Sequence, residues 1–251
     1  MNKTAPKTFS RLVLWEIENN LNLPLLALII SSAILAVLVQ SAEPSGTIHS
    51  YVNLNNGMNI LFLILTLITC ILFSRSFAGS FSKGELKRML SYPVKRWHVF
   101  LSKIVAFNLI IFSIYASVYT VNLYLNSISL LEPLYYAALF AIFLQLLFVC
   151  AISVSISMVT KSELISMVTS FLLFLGLDNF FDNNSVFSSI GRFKFILGYL
   201  EQITRTGPYQ ISPDVLITFE QFTSSIVFSL LTAIVGLTVV FIYFTRKMEV
   251  D

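Results

Sequence analysis

Residues 134–159 read LYYAALFAIFLQLLFVCAISVSISMV, 26 positions without one charged side chain. A helix needs about 20 predominantly apolar residues to cross a hydrocarbon core about 30 Å thick. In that core only a helix or a closed barrel satisfies its own backbone hydrogen bonds. Barrel strands alternate polar and apolar over about 10 residues, and this run does not alternate. It reads as a membrane-crossing helix, and the rest of the chain agrees. Of its 251 residues, 56% are hydrophobic and 12% charged, with 23 phenylalanines and a mean hydropathy of +0.82. Soluble domains carry roughly 25% charged residues, so most of this chain has lipid for a solvent. The fold class is an all-α, polytopic integral membrane protein.

Working outward from that run, the apolar stretches define six spans: about Leu23–Val39, Met58–Phe73, Ile104–Leu125, Leu134–Val159, Leu164–Phe181 and Ser225–Phe244. SISLLEP, with Glu132 and Pro133, turns the chain between the third and fourth. The polar TKSE at 160–163 separates the fourth from the fifth. Cys70 and Cys150 fall inside apolar runs, where thiols pack as small hydrophobes; their spacing suits neither a disulfide framework nor a metal. A cleaved signal peptide is not expected, because a polar leader precedes the first apolar run.

Charge gives the orientation, since Lys and Arg concentrate in cytoplasmic loops. The N-terminus, the 74–103 segment, the TKSE turn and the C-terminus fall on one side and hold 13 of the 16 basic residues. The other side keeps Arg192, Lys194 and Arg205, together with seven of the 13 acids. Both termini and the 74–103 segment are therefore expected in the cytoplasm of a multi-pass cell-membrane protein. The leader, FSRLVLWEIENNLN at 9–22, places Phe9, Leu12, Val13 and Ile17 at helical spacing, with Arg11, Glu16 and Glu18 as its polar residues. Such a helix lies in the membrane interface, with Trp15 at headgroup depth.

A basic loop needs only three or four lysines to hold an orientation. Here FAGSFSKGELKRMLSYPVKRWHVFLSK, residues 77–103, is far longer and is patterned. Apolar positions 77, 81, 86, 89 and 90 share one broad helical face, leaving Lys83, Glu85, Lys87 and Arg88 to water. Pro93 disfavours helix at Tyr92, and Ser91 with Pro93 suits the start of a second helix. The expectation is a helix, a corner and a helix: a stiff basic bracket that a partner grips. The alternative for such a segment is a solvated loop drawn to anionic lipid. Gly79 and Gly84 have the spacing of a phosphate-binding loop, yet Glu85 and Leu86 stand where Lys and Ser or Thr meet phosphate and magnesium. The chain is not expected to hydrolyse nucleotide.

GELKRMLSYPVKRWHVFLSK, with Gly84, Leu86, Leu90, Ser91, Pro93, Val94, Arg96 and Lys103, resembles the cytoplasmic signature of permease subunits of type-2 ABC exporters. That signature runs from a glycine through a leucine-rich turn and S-x-P-V-x-R to a lysine opening the third helix. The six spans, the interfacial leader and the chain length agree with the resemblance over the whole chain. It implies one permease domain over 1–251, with a leader at 1–22, a coupling segment at 74–103 and an extracellular segment at 182–224. It also implies a separate ATPase subunit in two copies, carrying the ATP and magnesium, and a second permease, identical or homologous. This chain would hold no cofactor, bind no nucleic acid and act as no enzyme. Matching residues assigns the coupling helix to the Lys83–Arg96 region, through Lys83, Glu85, Lys87, Arg88, Ser91, Pro93 and Arg96. Lys161 and Glu163 in the TKSE turn offer a second contact. The second and fifth spans would line the path, through Asn59, Phe62, Thr66, Thr69, Met167, Ser170, Phe171 and Phe174; packing between helices is an equal use for them.

Other polar residues have plainer uses. Asn108, Asn122 and Gln145 are neutral and suit interhelical hydrogen bonds worth about 0.6 kcal/mol each. Ser153, Ser155 and Ser157 suit close helix packing. No charge stands at the centre of a span, which argues against an ion-coupled transporter. Asp178 and Asp182 bracket the outer end of the fifth span. In the stretch 183–223, Ile190, Phe193, Leu197 and Leu200 describe an amphipathic helix ended by Gly207-Pro208. Three roles stay open for it: capping the pathway, lying on the outer leaflet or holding a dimer. Asn183-Asn184-Ser185 matches a glycosylation sequon, and His49 and His98 read as exposed. A second function class also stays open, a scaffold that recruits a cytoplasmic partner without transport. No acid pair, His cluster or nucleophile–base spacing supports an intramembrane enzyme.

Overall fold

The computed structural model describes residues 9–20, 30–31, 59–82, 84, 95–125, 133–181, 185–204 and 217–247. All of the regular structure among them is helical. The leader forms α1, Phe9–Asn20. Of the expected first span only Ile30 and Ser31 are described, and both are helical. Helix α2, Asn59–Ser74, continues through a π-helical turn, Arg75–Gly79, into a last short turn, Ser80–Ser82. Then follow α3, Arg96–Leu125, and α4, Pro133–Thr160. Next come α5, Glu163–Phe180, and α6, Ser189–Thr204. Finally α7, Phe219–Ile242, ends in a second π-helical turn, Tyr243–Lys247. Five of these helices, α2, α3, α4, α5 and α7, are long and apolar enough to cross a membrane.

Helix ends fall where the local chemistry puts them. Gly84 takes φ +67 and its N–H donates to the Phe81 carbonyl, so a glycine in the left-handed region closes α2. Between α4 and α5 the chain reverses through Lys161, at φ 51, and extended Ser162. Thr218 and Gln221 bond reciprocally as a capping box that starts α7.

One end of the bundle gathers the end of α2, the start of α3, the α4–α5 turn and the end of α7. An aromatic ladder binds three of these helices there. Phe73 packs on Phe107 and Phe77, Phe77 on Phe100, and Phe100 on Phe241 and Phe244. All but half-buried Phe241 are buried. With Arg75, Lys95, Arg96, Lys161 and Arg246 around it, this is the basic end. The expected second span closes at Phe73, whereas the helix runs nine residues further, to Ser82. Hydropathy falls at Ser74, Arg75 and Ser76, but Phe77 inside the ladder keeps the helix anchored.

The expected helix after α5 forms, and its packing bears on the roles left open for it. Phe193, Phe195, Ile196 and Leu197 of α6 are all buried, and α6 packs against both α4 and α7. Tyr199 meets Phe219 and Phe222, while Arg192 meets Phe228, so α6 rises antiparallel to α7 toward the end opposite the basic one. A helix lying on the outer leaflet would bury one face on lipid and leave the other in water. This one is a 16-residue rod wedged into the bundle.

Candidate functional site

Much of the expected coupling segment, including Lys83, Glu85, Lys87, Arg88, Ser91 and Pro93, lies outside the described residues. Its two roots are described. The first is the π-helical turn of α2, buried at Ser76, Phe77, Ala78 and Gly79. The second is the start of α3, where Lys95 and Arg96 are exposed while Lys103, two turns on, is buried. Lys103 joins the roots. Its Nζ stands 3.0 and 3.1 Å from the two carboxylate oxygens of Glu16 on α1, and donates to Ser76 Oγ at 3.3 Å. The two side chains of this ion pair are 3% and 1% exposed. Leu12 and Val13 of α1 are buried too, and Phe9 stacks at an angle on His98. The leader thus forms the expected helix, but Glu16 leaves its polar stripe for a buried pair. His98 is half-buried rather than exposed.

The α4–α5 turn meets the same root. Lys161 is exposed, whereas Glu163 is half-buried and folds over the π-helical turn. A Cβ at Gly79 would stand 2.7 Å from Glu163 Oε2, so the glycine makes room for that carboxylate. The first glycine of the pair with phosphate-loop spacing therefore sits beneath an acid, which repels phosphate. One turn further on, Ser166 Oγ bonds Ser74 Oγ at 2.9 Å and Ser157 Oγ at 2.6 Å. Cys70 Sγ meets Ser153 Oγ at 3.5 Å. These small side chains let α2, α4 and α5 approach closely, the role expected of the 153–157 serines; Ser155 is half-buried and bonds its own helix. Asn108 bridges its own helix to Cys150 Sγ at 3.5 Å. Both thiols are free and buried.

The expected path residues divide into two groups. Thr66, Thr69, Ser170 and Phe174 are buried where α2, α4 and α5 meet, with Phe174 against Phe148. Met167 and Phe171 are half-exposed. The side chains of Asn59 and Phe62 lie outside the described residues, as do Asn122, Asp182, Asn183 and His49.

Arg192 was counted in the sequence only as one of the few cations on the acidic side. In the structure it is 2% exposed. Its Nε and Nη2 donate to Gln145 Oε1 at 3.3 and 2.8 Å, and its Nη1 to the carbonyls of Val186 and Phe187 at 3.0 and 3.1 Å. The guanidinium lies 4.0 Å above the Phe148 ring and 5.7 Å from that of Phe228. Gln145 is twelve residues along the 28-residue α4, about 18 Å from its start at 1.5 Å per residue. A positive charge therefore does reach the middle of the bundle, carried there by α6 and not by a span. Gln145, read as interhelical glue, is glue for this cation. No window of local sequence reveals that, because the two positions stand 47 residues apart.

Five apolar rods, with bare outer faces on α5 and α7, define a multi-pass membrane protein. A family model described as ABC-2 family transporter protein matches residues 19–176. That is more than half of the chain, and the chain belongs to this family. It is a permease component of an ABC transporter, from a family whose members generally pair with an ATPase subunit, and its part is transport rather than catalysis. No curated protein matches the chain.

Proposed function

We propose that the chain is the transmembrane permease subunit of an ATP-driven exporter, with its basic end in the cytoplasm and gripped there by a separate ATPase. The observation that carries this reading is the gathering of both coupling-segment roots and the α4–α5 turn at one basic end of an ABC-2 family chain. Cytoplasmic placement follows from the preference of Lys and Arg for that side. Lys83, Glu85, Lys87, Arg88, Ser91, Pro93 and Arg96 form the docking segment, and Lys161 with Glu163 the second contact. ATP and magnesium belong to the partner. Two permeases, identical or similar, work with two ATPases, and cargo passes between the permeases along α2 and α5.

The ladder from Phe107 to Phe244 is what makes transmission physically reasonable. Packed aromatic rings move as a body, because interiors shift between discrete arrangements and do not deform continuously. A push on the 83–94 segment thus reaches α2, α3 and α7 together. In the closed bundle Thr66, Thr69, Ser170 and Phe174 hold helices, and they meet cargo only when α2 and α5 part.

Copurification and hydrolysis test the reading. Arg88→Glu and Arg96→Glu should each weaken capture of the ATPase about tenfold, equivalent to about 1.4 kcal/mol, and lower cargo-stimulated hydrolysis. Capture that weakens while hydrolysis stays unchanged would instead identify a scaffold. Impermeant reagents should reach Lys87→Cys only from the cytoplasmic face.

A further inference from the structure

We infer that Arg192 is a latch midway through the bundle, on the side away from the basic end, a positioning residue that holds α4 and α7 to the turn between α5 and α6 and lets go when they separate. The inference rests on the exporter reading for the movement that parts them, and on the geometry of α6 for everything else.

Three helices converge on the start of α6. Ser188 caps it by accepting from the Gly191 N–H at 3.3 Å, and the same hydroxyl donates to Asp178 Oδ1 of α5 at 3.3 Å. Arg192, one turn on, takes α4 through Gln145 and α7 through the Phe228 face. Phe187 packs between Phe181 and Phe228, closing the turn that joins α5 to α6. Movement of α5 away from α4 and α7 on its side of the path has to break this joint, which Ser188 makes to α5 and Arg192 to the other two.

The choice of partners sets the strength of the latch. All four hydrogen bonds from the guanidinium end on neutral oxygens, and Asp178 attracts it only at longer range. A carboxylate at position 145 would add the attraction of a full opposite charge to these bonds, as in a bidentate Arg–carboxylate pair. Gln145 also leaves its Nε2 buried without a partner. The closed arrangement is thereby held by an incomplete network, and water entering as the helices part bonds the bare amide nitrogen. A network built only for stability would be complete or carry the acid. Arg192 also lies beyond the residues that the family model matches.

The test uses the full chain in lipid vesicles, with a thiol introduced at a buried site on α6, Ile196→Cys, and an impermeant thiol reagent. Cys70 and Cys150 are buried and leave a low background. In the parent the introduced thiol should react slowly. Gln145→Met should raise its rate about tenfold, and Gln145→Glu should lower it below the parent while raising the melting temperature. Opposite signs are the signature of a latch. If both substitutions speed labelling, or neither changes it, Arg192 is packing alone and the inference is overturned. No ATPase or cargo takes part, so the result stands apart from the exporter reading. That reading fails separately, if Ile196→Cys and Lys87→Cys react from the same face.

Discussion

Lys103 and Glu16 are 87 positions apart in the chain, yet they form the buried ion pair that ties the leader to both roots of the coupling segment. Removing one partner of a buried pair leaves the other charge uncompensated, at about 3–5 kcal/mol. Glu16→Ala should therefore cost the folded bundle about that much in denaturant titrations of the chain in micelles. Exchanging the charges, Glu16→Lys with Lys103→Glu, should recover a good part of the loss. Failure of the exchange to recover any stability would mean that the pair matters for packing and not for charge. Neither residue's fate was legible in the sequence. Glu16 stands on the polar stripe of an amphipathic helix, and a stripe does not distinguish water from a lysine on another helix. Lys103 ends the family-like signature, and its charge suggested a surface. Arg192 was hidden for the same reason: local hydropathy reports a residue's own cost of burial, not the Gln145 and Phe148 that offset it.

Among the elements, the crossing helices were legible because length and hydropathy are local properties. The run 134–159 became Pro133–Thr160, and 164–181 became Glu163–Phe180, each within a residue at either end. The ends that moved did so through tertiary contact. Phe77 in the aromatic ladder extends α2, while α3 opens at Arg96, inside the second helix that Ser91 and Pro93 were expected to start. Helix α6 carries Arg192, Lys194 and Glu201, so its sequence resembles a surface helix although its packing is internal. The close approach of α2, α4 and α5 rests on hydroxyls with no room to grow. Ser166→Ala should cost only about 1 kcal/mol, since intramembrane hydrogen bonds average about 0.6 kcal/mol. Ser166→Leu should cost at least 1–3 kcal/mol, the usual penalty of overpacking. Thermal unfolding of both variants decides between the two contributions, and equal losses would show that the hydroxyl and not the space is what counts.

At the scale of the whole molecule, two of the described helices stand out for their bare apolar faces. On α5 the exposed face runs through Leu164, Ile165, Val168, Leu172 and Leu173, and on α7 through Val227, Leu231, Ile234, Val235 and Val239. Lipid accounts for either. A pathway between two permeases along α2 and α5 requires a second copy near the first face and not the second. Leu172→Cys should therefore form a disulfide-linked dimer on mild oxidation in vesicles, which needs Cα atoms within about 7 Å. Val235→Cys should not. Crosslinking at 235 alone would move the pathway to α7.

The short length of α5 has one more consequence. Its 18 residues measure about 27 Å at 1.5 Å per residue, less than the roughly 30 Å of an average hydrocarbon core. Where its bare side meets the bilayer, the surrounding acyl chains must compress to match it, at a fraction of a kcal/mol per Å. Around this helix a thin membrane therefore fits better than a thick one, and the fatty-acid diet of a cell becomes a setting on how easily the fifth crossing is held.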